Sequence, residues 1–381
     1  MAPRRARCDK WGVIKYLGSK RALLPAIVRL VDALPGVRTS VDLFSGTSRI
    51  GHALKRRGQR VLANDEAAYA EVLARCYVQA DHETWHDRAE RLIDELNSLE
   101  GEVGYVTTTF CEQGRYFQPA NGRRIDRVRR AIAEWCLEPE LEAVLLTALL
   151  EAADRVDSTT GVQMAYLKRW SPRSHKPLVL RVPELLPRAA AGAGRATRAD
   201  ACACVDELEG DLVYVDPPYN QHKYVNNYHV WETIVLNDDP PTYGVAHKRT
   251  DCRERRSAFN LRRECEDALR TVLAGARAPY VVLSFSDEGF VDLARLRTLL
   301  GSLGRFEECS IARPRYIGAR IGIHDGEGRR VGRTSHVANR EYLFLLAKGD
   351  VAWPNVPWES VANAPTGGTK EAAAQMALPA R

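Results

Sequence analysis

A run of apolar residues that stops at two prolines is the feature that most restricts how this chain can fold. Residues 212–215 (LVYV) are β-branched, aliphatic or aromatic with no polar alternation, which predicts a strand buried in a sheet. Pro217 and Pro218 follow, and because proline has no backbone N–H and a fixed φ, the chain must leave the sheet here. Asp216 is therefore expected on a stiff, extended turn at the end of a buried strand.

Two strand–turn–helix units near the N-terminus predict that this strand belongs to a parallel sheet. The first has a strand at 40–43, a tight turn at 44–48 and a helix ending at Gly58, the residue best suited to a left-handed cap. The second has a strand at 61–63 and a helical pattern to about residue 80. Three further apolar runs predict strands at residues 212–215, 278–286 and 340–348. We therefore predict an α/β fold with a Rossmann-like, doubly wound sheet.

The alternation of predicted strands and helices is interrupted in the middle of the chain. Residues 81–195 are largely helical in pattern, with a basic, proline-rich stretch near their end, and we predict an inserted, mostly helical subdomain. Residues 1–80 and 196–350 then form the two parts of the domain that contains the sheet. Residues 351–381 lack sustained apolar periodicity, which predicts a disordered tail.

Composition restricts the environment more than the function. With 381 residues and 45% hydrophobic content, the chain can bury a large core, and the net charge of +6 is compatible with a polyanionic partner. The sequence contains no transmembrane run and its basic N-terminus lacks the apolar segment of a secretory signal, so a cytoplasmic location is expected. Cys202 and Cys204 form a lone C-x-C, which is a weak zinc signal, and we expect buried thiols without metal.

Three acidic residues fall at predicted carboxyl ends of strands, where open parallel sheets bind their ligands. Asp42 leads into the turn FSGTS, in which Gly46 permits close approach of the backbone to a ligand. Asp65 follows the second strand, where a carboxylate can hydrogen-bond ribose hydroxyls, and Asp216 follows the later strand. A dinucleotide enzyme would also suit this pattern, but the G-x-G-x-x-G spacing is missing, and the turn alone is equally typical of a structural βα loop.

Four motifs occur in a fixed order: KYLGSK, DLFSGTS, ND and DPPY. This order resembles that of the Dam-like (class alpha) DNA adenine-N6 methyltransferases. The resemblance extends to four further regions and covers most of residues 10–348: GRYFQPANGRRIDRVRRAIAEW, ALLEAADRVDSTTGVQMAYLKRW, PPYNQHKYVNNYHVWETI, and the stretch from RYIGARIGIH to SHVANREYLF. It implies that residues 1–80 and 196–350 form the catalytic domain and that 81–195 is its target-recognition insert. DPPY alone is less specific, because it also occurs in RNA and protein methyltransferases.

The resemblance implies transfer of a methyl group from S-adenosylmethionine to an adenine that is flipped out of double-stranded DNA. The protein would act on the nucleoid of a prokaryotic cell, without a membrane partner and without a metal. A cognate restriction endonuclease would accompany it if it serves a restriction–modification system.

The resemblance also implies roles for individual residues. The catalytic set is Asp216, Pro217, Pro218 and Tyr219: the carboxylate of Asp216 and the carbonyl of Pro217 accept the amine hydrogens of adenine, and Tyr219 stacks on the base. The cofactor set is Tyr16 near the adenine ring, Lys20 near the methionine end, Asp42, Phe44 and Gly46 along the passage over the first strand, Asp65 at the ribose, Asp200 at the adenine, and Asp216. The residues themselves, and not the resemblance, predict the DNA contacts. Tyr224 and Tyr228 lie in an aromatic and polar loop after the catalytic turn, and Lys248 and Arg249 lie in the densest cationic run of the chain.

Two departures from the family pattern stand beside these matches. Ser48 and Ser19 replace glycines that are common in the family, and Ser48 would be compatible with the turn if its φ is negative. An RNA base N-methyltransferase and a nucleic-acid-binding protein that has lost catalysis remain alternatives. The size of the 81–195 insert favours DNA, because reading a duplex site requires a dedicated surface.

Overall fold

The computed structural model describes residues 14–16, 20–314 and 338–365. Seven strands of this part of the chain form one sheet in the order β3-β2-β1-β4-β7-β9-β8. Their bounds are β1 (Thr39–Asp42), β2 (Arg60–Asp65), β3 (Arg195–Arg198), β4 (Leu212–Val215), β7 (Tyr280–Ser286), β8 (Arg305–Pro314) and β9 (Ala338–Ala347). Two short strands, β5 (Thr242–Tyr243) and β6 (Lys248–Arg249), form a separate antiparallel hairpin.

The pairing of the strands confirms the predicted Rossmann-like, doubly wound class. β1 lies parallel to both β2 and β4, β2 is parallel to β3, and β4 is parallel to β7. β9 runs antiparallel to β7 and to β8. The strand order reverses direction between β1 and β4, which is the switch point where such sheets bind ligands. Asp42 of β1 lies opposite Tyr214 of β4, so Asp42 and Asp216 end neighbouring strands at this point.

Helices cover both faces of the sheet. Those of the described residues are α1 (Leu24–Asp32), α2 (Arg49–Arg56), α3 (Ala68–Ala74), α4 (His82–Ser98), α5 (Pro119–Glu134), α6 (Pro139–Val156), α7 (Ala201–Cys204), α8 (Tyr224–Asn227), α9 (His229–Leu236), α10 (Asp251–Glu254), α11 (Cys265–Gly275), α12 (Leu293–Leu303) and α13 (Trp358–Ala362). Arg75–Gln79 and Val106–Gln113 are π-helical, and Lys20–Ala22, Pro172–His175, Val205–Glu207 and Ala258–Asn260 are 3₁₀ turns. No helix in this described part combines the length and the apolar character needed to cross a bilayer.

Alternating side chains of the central strands supply two separate cores. Leu212 and Tyr214 face α1, α2 and α13, whereas Val213 and Val215 face α11 and α12. All four are buried, as the uninterrupted apolar run of β4 predicts for a strand covered on both sides. Gly58 caps α2 with φ of 80°, which confirms the left-handed turn expected there.

A third core lies within the segment between β2 and β3. The long helices α4, α5 and α6 pack together there, and they share this core with α3 and α9, which flank the site residues described below. α6 is rich in leucine and alanine and is buried along most of its length. Residues 157–194 contain no regular helix apart from the 3₁₀ turn at Pro172–His175. The division of the chain into domains stays a prediction.

The expected disorder of the tail is wrong for residues 351–365. Val356 and Val361 are buried against the sheet, and Nη1 of Arg29 in α1 donates to the carbonyl of Ser360 at 2.7 Å. These few apolar anchors show no periodicity because the segment contains only one short helix, α13. Residues 366–381, and the arginine-rich stretch at 315–337, lie outside the described residues.

Candidate active site

A cleft of about 1180 Å³ opens at the carboxyl ends of β1, β2 and β4. All the residues to which the resemblance assigns the cofactor line this cleft: Tyr16, Lys20, Asp42, Phe44, Gly46, Asp65, Asp200 and Asp216. Pro218 and Tyr224 line it as well. The residues that the sequence assigns to one cofactor site are therefore brought together at one place.

The glycine turn after β1 is tied to Asp65. The backbone N–H of Gly46 donates to one oxygen of the Asp65 carboxylate at 2.9 Å, and the N–H of Ala67 donates to the other at 3.0 Å. Burial raises the pKa of Asp65 to about 6. Gly46 has φ of 50°, in the left-handed region that favours glycine, and the ring of Tyr16 packs close to it.

Asp42 is a buried carboxylate with unused hydrogen-bonding capacity. Its Oδ2 accepts the N–H of Gly51 in α2 at 3.0 Å. Its Oδ1 is buried and has no hydrogen-bond partner in the described part of the chain. Burial raises the pKa of Asp42 to about 7, opposed by the bond from Gly51 and reinforced by Asp216. The residue thus presents an acceptor to a ligand in the cleft.

Asp216 forms part of a three-residue ion cluster. Nζ of Lys20 lies 3.2 Å from Oδ1 of Asp216 and 3.2 Å from Oε2 of Glu341. Burial lowers the pKa of Lys20, but the two carboxylates outweigh it and raise that pKa well above its usual value. Burial raises the pKa of Asp216 to about 6, against the opposing effect of Lys20. The sequence associates Lys20 with the cofactor, whereas its contacts here are with the carboxylate of the DPPY motif.

Four aromatic rings form a parallel column beside the cleft. Tyr16 lies between Tyr224 and Tyr228, with centroids 5.4 and 4.5 Å away, and Trp231 stacks on Tyr228 at 4.7 Å. The hydroxyls of Tyr16 and Tyr69 are 3.1 Å apart. Tyr228 is completely buried in this column, so its predicted contact with DNA is wrong: both faces of its ring are covered by protein. Tyr224 lines the cleft and keeps partial exposure.

The remaining residues of the DPPY motif lie at the edge of the cleft. The ring of Tyr219 is half-buried, with its centroid 6.0 Å from that of Phe285 and 5.8 Å from Nζ of Lys20. Burial raises the pKa of Tyr219 to about 12. Pro217 is buried and borders, with Pro218 and Tyr219, a second and smaller cavity of about 200 Å³ lined by apolar side chains. The stacking role of Tyr219 stays a prediction.

Of the two cationic residues predicted to contact phosphate, Arg249 is already bound by carboxylates of the protein. Arg249 is buried to 4% exposure, and its guanidinium donates to both carboxylate oxygens of Asp238 at 2.7 and 2.6 Å and to Asp251 at 3.1 Å. The prediction for Arg249 is therefore wrong, because its charge is already neutralised inside the protein. Lys248, its neighbour on the β5–β6 hairpin, is only partly buried.

Ser48 adopts φ of 55°, in the left-handed region, and not the negative φ that would suit serine. It stands where the family commonly has glycine, and it keeps the glycine conformation. Its hydroxyl is buried without a hydrogen-bond partner among the described residues. The backbone of the turn is thus preserved at the cost of local strain.

Several residues that support the site lie outside the four motifs. Glu232 of α9 is completely buried and accepts the N–H groups of Ala68 and Tyr69, at 3.2 and 3.1 Å, where α3 begins after the Asp65 turn. Arg255 donates to Glu232 at 2.8 Å and lines the cleft. The segment that contains Arg255 is joined to the loop after DPPY, since Lys223 donates to the carbonyl of Arg255 at 2.8 Å.

Two further expectations concern Asp200 and the pair Cys202 and Cys204. Asp200 is exposed and caps α7, accepting the N–H groups of Cys202 and Ala203 at 2.8 and 3.2 Å, so its local role is structural even though it lines the cleft. Burial raises the pKa values of the Cys202 and Cys204 thiols to about 11. Within the described ranges, no group of three or more potential ligand side chains is arranged to hold a metal ion.

Comparison with known proteins gives relatives over nearly the whole chain. The type II methyltransferase M.NlaIII of Neisseria lactamica is 29% identical over 350 residues, which cover 88% of this chain and 99% of the relative. The type II methyltransferase M.FokI of Planomicrobium okeanokoites is 29% identical over 90% of this chain, which spans 54% of that longer protein. M.CviAII of Paramecium bursaria Chlorella virus 1 is 26% identical over 77% of this chain and 90% of the relative.

The family model for D12 class N6 adenine-specific DNA methyltransferases matches residues 16–295. The match spans Tyr16, the β1 and β2 acids and the DPPY motif, which are the elements that meet in the cleft. This extent, together with the relatives, shows a site-specific DNA adenine methyltransferase. The chain belongs to the D12 class of N6 adenine-specific DNA methyltransferases.

Proposed function

We propose that the enzyme transfers a methyl group from S-adenosylmethionine to the N6 amine of an adenine that is flipped out of double-stranded DNA. The observation that carries the proposal is the position of Asp216. Its carboxylate lines the same cleft as Asp42 and Asp65, from the end of an adjacent strand. A methyl donor held by the β1 and β2 acids would therefore lie next to the group that receives the target amine.

The cleft suits the donor chemically. Asp65 keeps acceptor capacity beyond its two backbone bonds, because a carboxylate offers about four lone-pair sites and ribose hydroxyls are donors. The unpartnered Oδ1 of Asp42 would accept a hydrogen bond from the ammonium of the methionine end. Phe44, which lies edge-on to Phe259 at 5.1 Å, offers an apolar wall. When bound, S-adenosylmethionine supplies an electrophilic methyl group on a sulfonium.

Asp216 and Pro217 act on the acceptor. The adenine amine is a poor nucleophile because its lone pair is delocalised into the ring. The Asp216 carboxylate and the Pro217 carbonyl would each accept a hydrogen bond from one N–H of the amine and hold the nitrogen in a pyramidal geometry. As the N–C bond to the methyl group forms, the C–S bond breaks with its electron pair left on sulfur, and the nitrogen loses one proton to the Asp216 carboxylate or to water. The two prolines fix these acceptors in advance, and well-oriented groups of this kind contribute about 7–11 kcal/mol to lowering a barrier.

The target base requires a stacking partner outside the duplex. Tyr219 is the first candidate, because it follows Asp216 within the motif and its ring is half-buried near Lys20. Tyr224 is the second, since it lines the cleft with the ring already parallel to Tyr16. Either ring would hold the base next to Asp216.

We assign site recognition to the inserted segment 81–195 together with the β5–β6 hairpin. Tyr166 and Tyr116 of the segment donate to the carbonyls of Val245 and Ala246 at 3.1 and 2.8 Å, which joins the two surfaces. Lys248 lies on this hairpin, and Lys176 is exposed on the segment, so phosphate contacts are available to both. Exchanging residues 101–195 with those of a relative should change the methylated site. An active chimera that keeps the original site would refute this assignment.

One assay tests the proposed function. Purified protein is incubated with radiolabelled S-adenosylmethionine and, separately, with duplex DNA and RNA pools, and the modified nucleoside is identified. We expect N6-methyladenine in DNA alone. Label in RNA would favour the RNA enzyme, and binding without transfer would favour a lapsed enzyme. Single-molecule sequencing of plasmids methylated in cells then gives the recognition site, and resistance of those plasmids to a nuclease of the same specificity tests for an endonuclease partner.

A further inference from the structure

Glu341 is a charged side chain at the active site that the motifs do not contain. It lies on β9, opposite Ser286 of β7 and Ile311 of β8, and its side chain is only 16% exposed. Its Oε2 accepts a hydrogen bond from Nζ of Lys20 at 3.2 Å, and the same ammonium lies 3.2 Å from Asp216. One buried cation is therefore shared between two carboxylates.

We propose that Glu341 is a positioning residue for methyl transfer, which holds the ammonium of Lys20 beside Asp216 and prevents it from fully neutralising that carboxylate. The inference rests on the proposed function, in which Asp216 accepts an amine hydrogen of adenine. Glu341 acts through Lys20 and does not itself contact the base in this proposal.

The physical reason lies in the competition for Asp216. Lys20 retains 8% exposure, so its three N–H donors depend on protein acceptors. If Asp216 were its sole counter-ion, a close one-to-one pair would weaken the carboxylate as an acceptor for any further donor. With Glu341 present, the ammonium divides its attraction, and the cluster of one cation and two anions keeps a net negative charge. That charge remains available to the incoming amine.

The surrounding charges agree with this division. The groups that act on or respond to Asp216 come from several elements: Lys20, Glu341 on β9, Asp42 on β1, and the tyrosines Tyr214, Tyr219 and Tyr224. Burial raises the pKa of Asp216, Lys20 lowers it, and Glu341 raises it again. Removing the charge of Glu341 should therefore lower the pKa of Asp216 and make it a weaker acceptor.

The first test is Glu341→Gln, which keeps the side-chain length and one oxygen for Lys20. We expect the single-turnover rate of methylation at saturating cofactor to fall about tenfold, the equivalent of one pKa unit of charge interaction. The acidic limb of the pH–rate profile should move to lower pH. The affinity for S-adenosylmethionine, measured by calorimetry, should stay within about twofold of wild type, which is a small change in binding free energy. Glu308→Gln is the matched control, because the Glu308 carboxylate on β8 is paired with Arg297 at 2.6 Å.

The second test is a double-mutant cycle of Lys20→Met and Glu341→Gln. If Glu341 acts through Lys20, then adding Glu341→Gln to Lys20→Met slows transfer no further. Losses that multiply across the cycle would overturn the inference. So would Glu341→Gln with the rate and pH profile of wild type.

A third variant covers a failure to fold. If thermal melting shows that the Gln variant is unfolded, Glu341→Asp replaces it in the test. This variant keeps the charge, so the acidic limb of its pH–rate profile should lie at the wild-type position. An Asp variant that is folded but shifted like a neutral substitution contradicts the inference. If the wild-type enzyme does not methylate adenine in DNA, the proposed function is refuted. If the wild type is active and substitution of Glu341 has no effect, only the inference is refuted.

Discussion

The carboxylate of Glu232 lies 2.8 Å from the guanidinium of Arg255 and is completely buried between α3, the helix that follows Asp65, and the segment after α10 that contains Arg255. It also accepts the N–H groups of Ala68 and Tyr69 at the first turn of α3, where an anion is favoured by the helix dipole. One side chain thus connects three segments around the cleft.

Replacing Glu232 with Ala should lower the free energy of unfolding by about 3 kcal/mol, because it leaves a partly buried guanidinium and two backbone donors without their acceptor. The Gln variant should lose less. Urea denaturation measures both effects, and Glu264→Ala, at an exposed position, is the control. An Ala variant as stable as the control would show that water replaces the carboxylate without loss.

Asp216→Asn should reduce the rate of methyl transfer at least about a hundredfold, since a neutral amide replaces the charged acceptor at the reacting amine. Cofactor affinity and thermal stability should change little. A rate above about a tenth of wild type would contradict the proposed mechanism, because a lost transition-state contact costs several kcal/mol.

The wild-type pH profile gives an independent check on Asp216. The pKa of this carboxyl is raised to about 6, and the ionised form is much the stronger acceptor of a hydrogen bond from the amine. The single-turnover rate should therefore be highest above pH 6 and fall as the pH drops through this value. The measurement is made at saturating cofactor, because Asp42 and Asp65, with pKa values of about 7 and about 6, titrate in the same range. A profile flat down to pH 5 would argue against Asp216.

Asp65→Ala should raise the dissociation constant for S-adenosylmethionine by at least about tenfold, the effect of losing roughly 1.4 kcal/mol of hydrogen bonding. The structure adds a second consequence: the N–H groups of Gly46 and Ala67 lose their acceptor, so the melting temperature should fall as well. Calorimetry and thermal melting separate the two effects. Unchanged cofactor affinity would remove Asp65 from the ribose site.

Ser48→Gly should raise the free energy of unfolding by about 1 kcal/mol, because glycine removes the strain of the left-handed φ and the unpartnered hydroxyl, at some cost in chain entropy. Ser48→Ala is the matched variant, since it removes the hydroxyl but keeps the strain. Gly should therefore be more stable than Ala in urea. The reverse order would show that the turn tolerates a side chain without strain.

Tyr219→Phe should be nearly silent, whereas Tyr219→Ala should slow methylation of a paired adenine, because a stacking platform of about 1–3 kcal/mol is lost. A mismatched target should be less affected, since its unpairing costs less. Single-turnover rates with 2-aminopurine at the target position report transfer and extrusion together. Wild-type rates for Tyr219→Ala on paired DNA would shift the stacking role to Tyr224.

The sequence predicts the residues that line the cofactor side of the cleft better than the residues that hold them in position. Asp42 and Asp65 each stand at the end of an apolar strand, and this local pattern is sufficient to bring both to one edge of the sheet. Glu341 and Arg255 come from distant segments, and their partners are decided only by how those segments pack. The same limit applies to Tyr228 and Arg249, whose residue types are common in DNA contacts. Both are buried, Tyr228 in the column of rings and Arg249 against the Asp238 carboxylate, and the local sequence does not predict these contacts.

At one edge of the sheet, the order of the strands in space differs from their order along the chain. β8 leaves the ribosome before β9, yet β9 is the strand that lies between β7 and β8. Lys20, made near the start of translation, finds Glu341 only 321 residues later. A nascent chain that ends before Ala338 therefore carries the DPPY motif without the strand that completes the sheet and the ion cluster. Under the role proposed for Glu341, such a chain would have the motif without the second carboxylate that the Lys20 ammonium contacts.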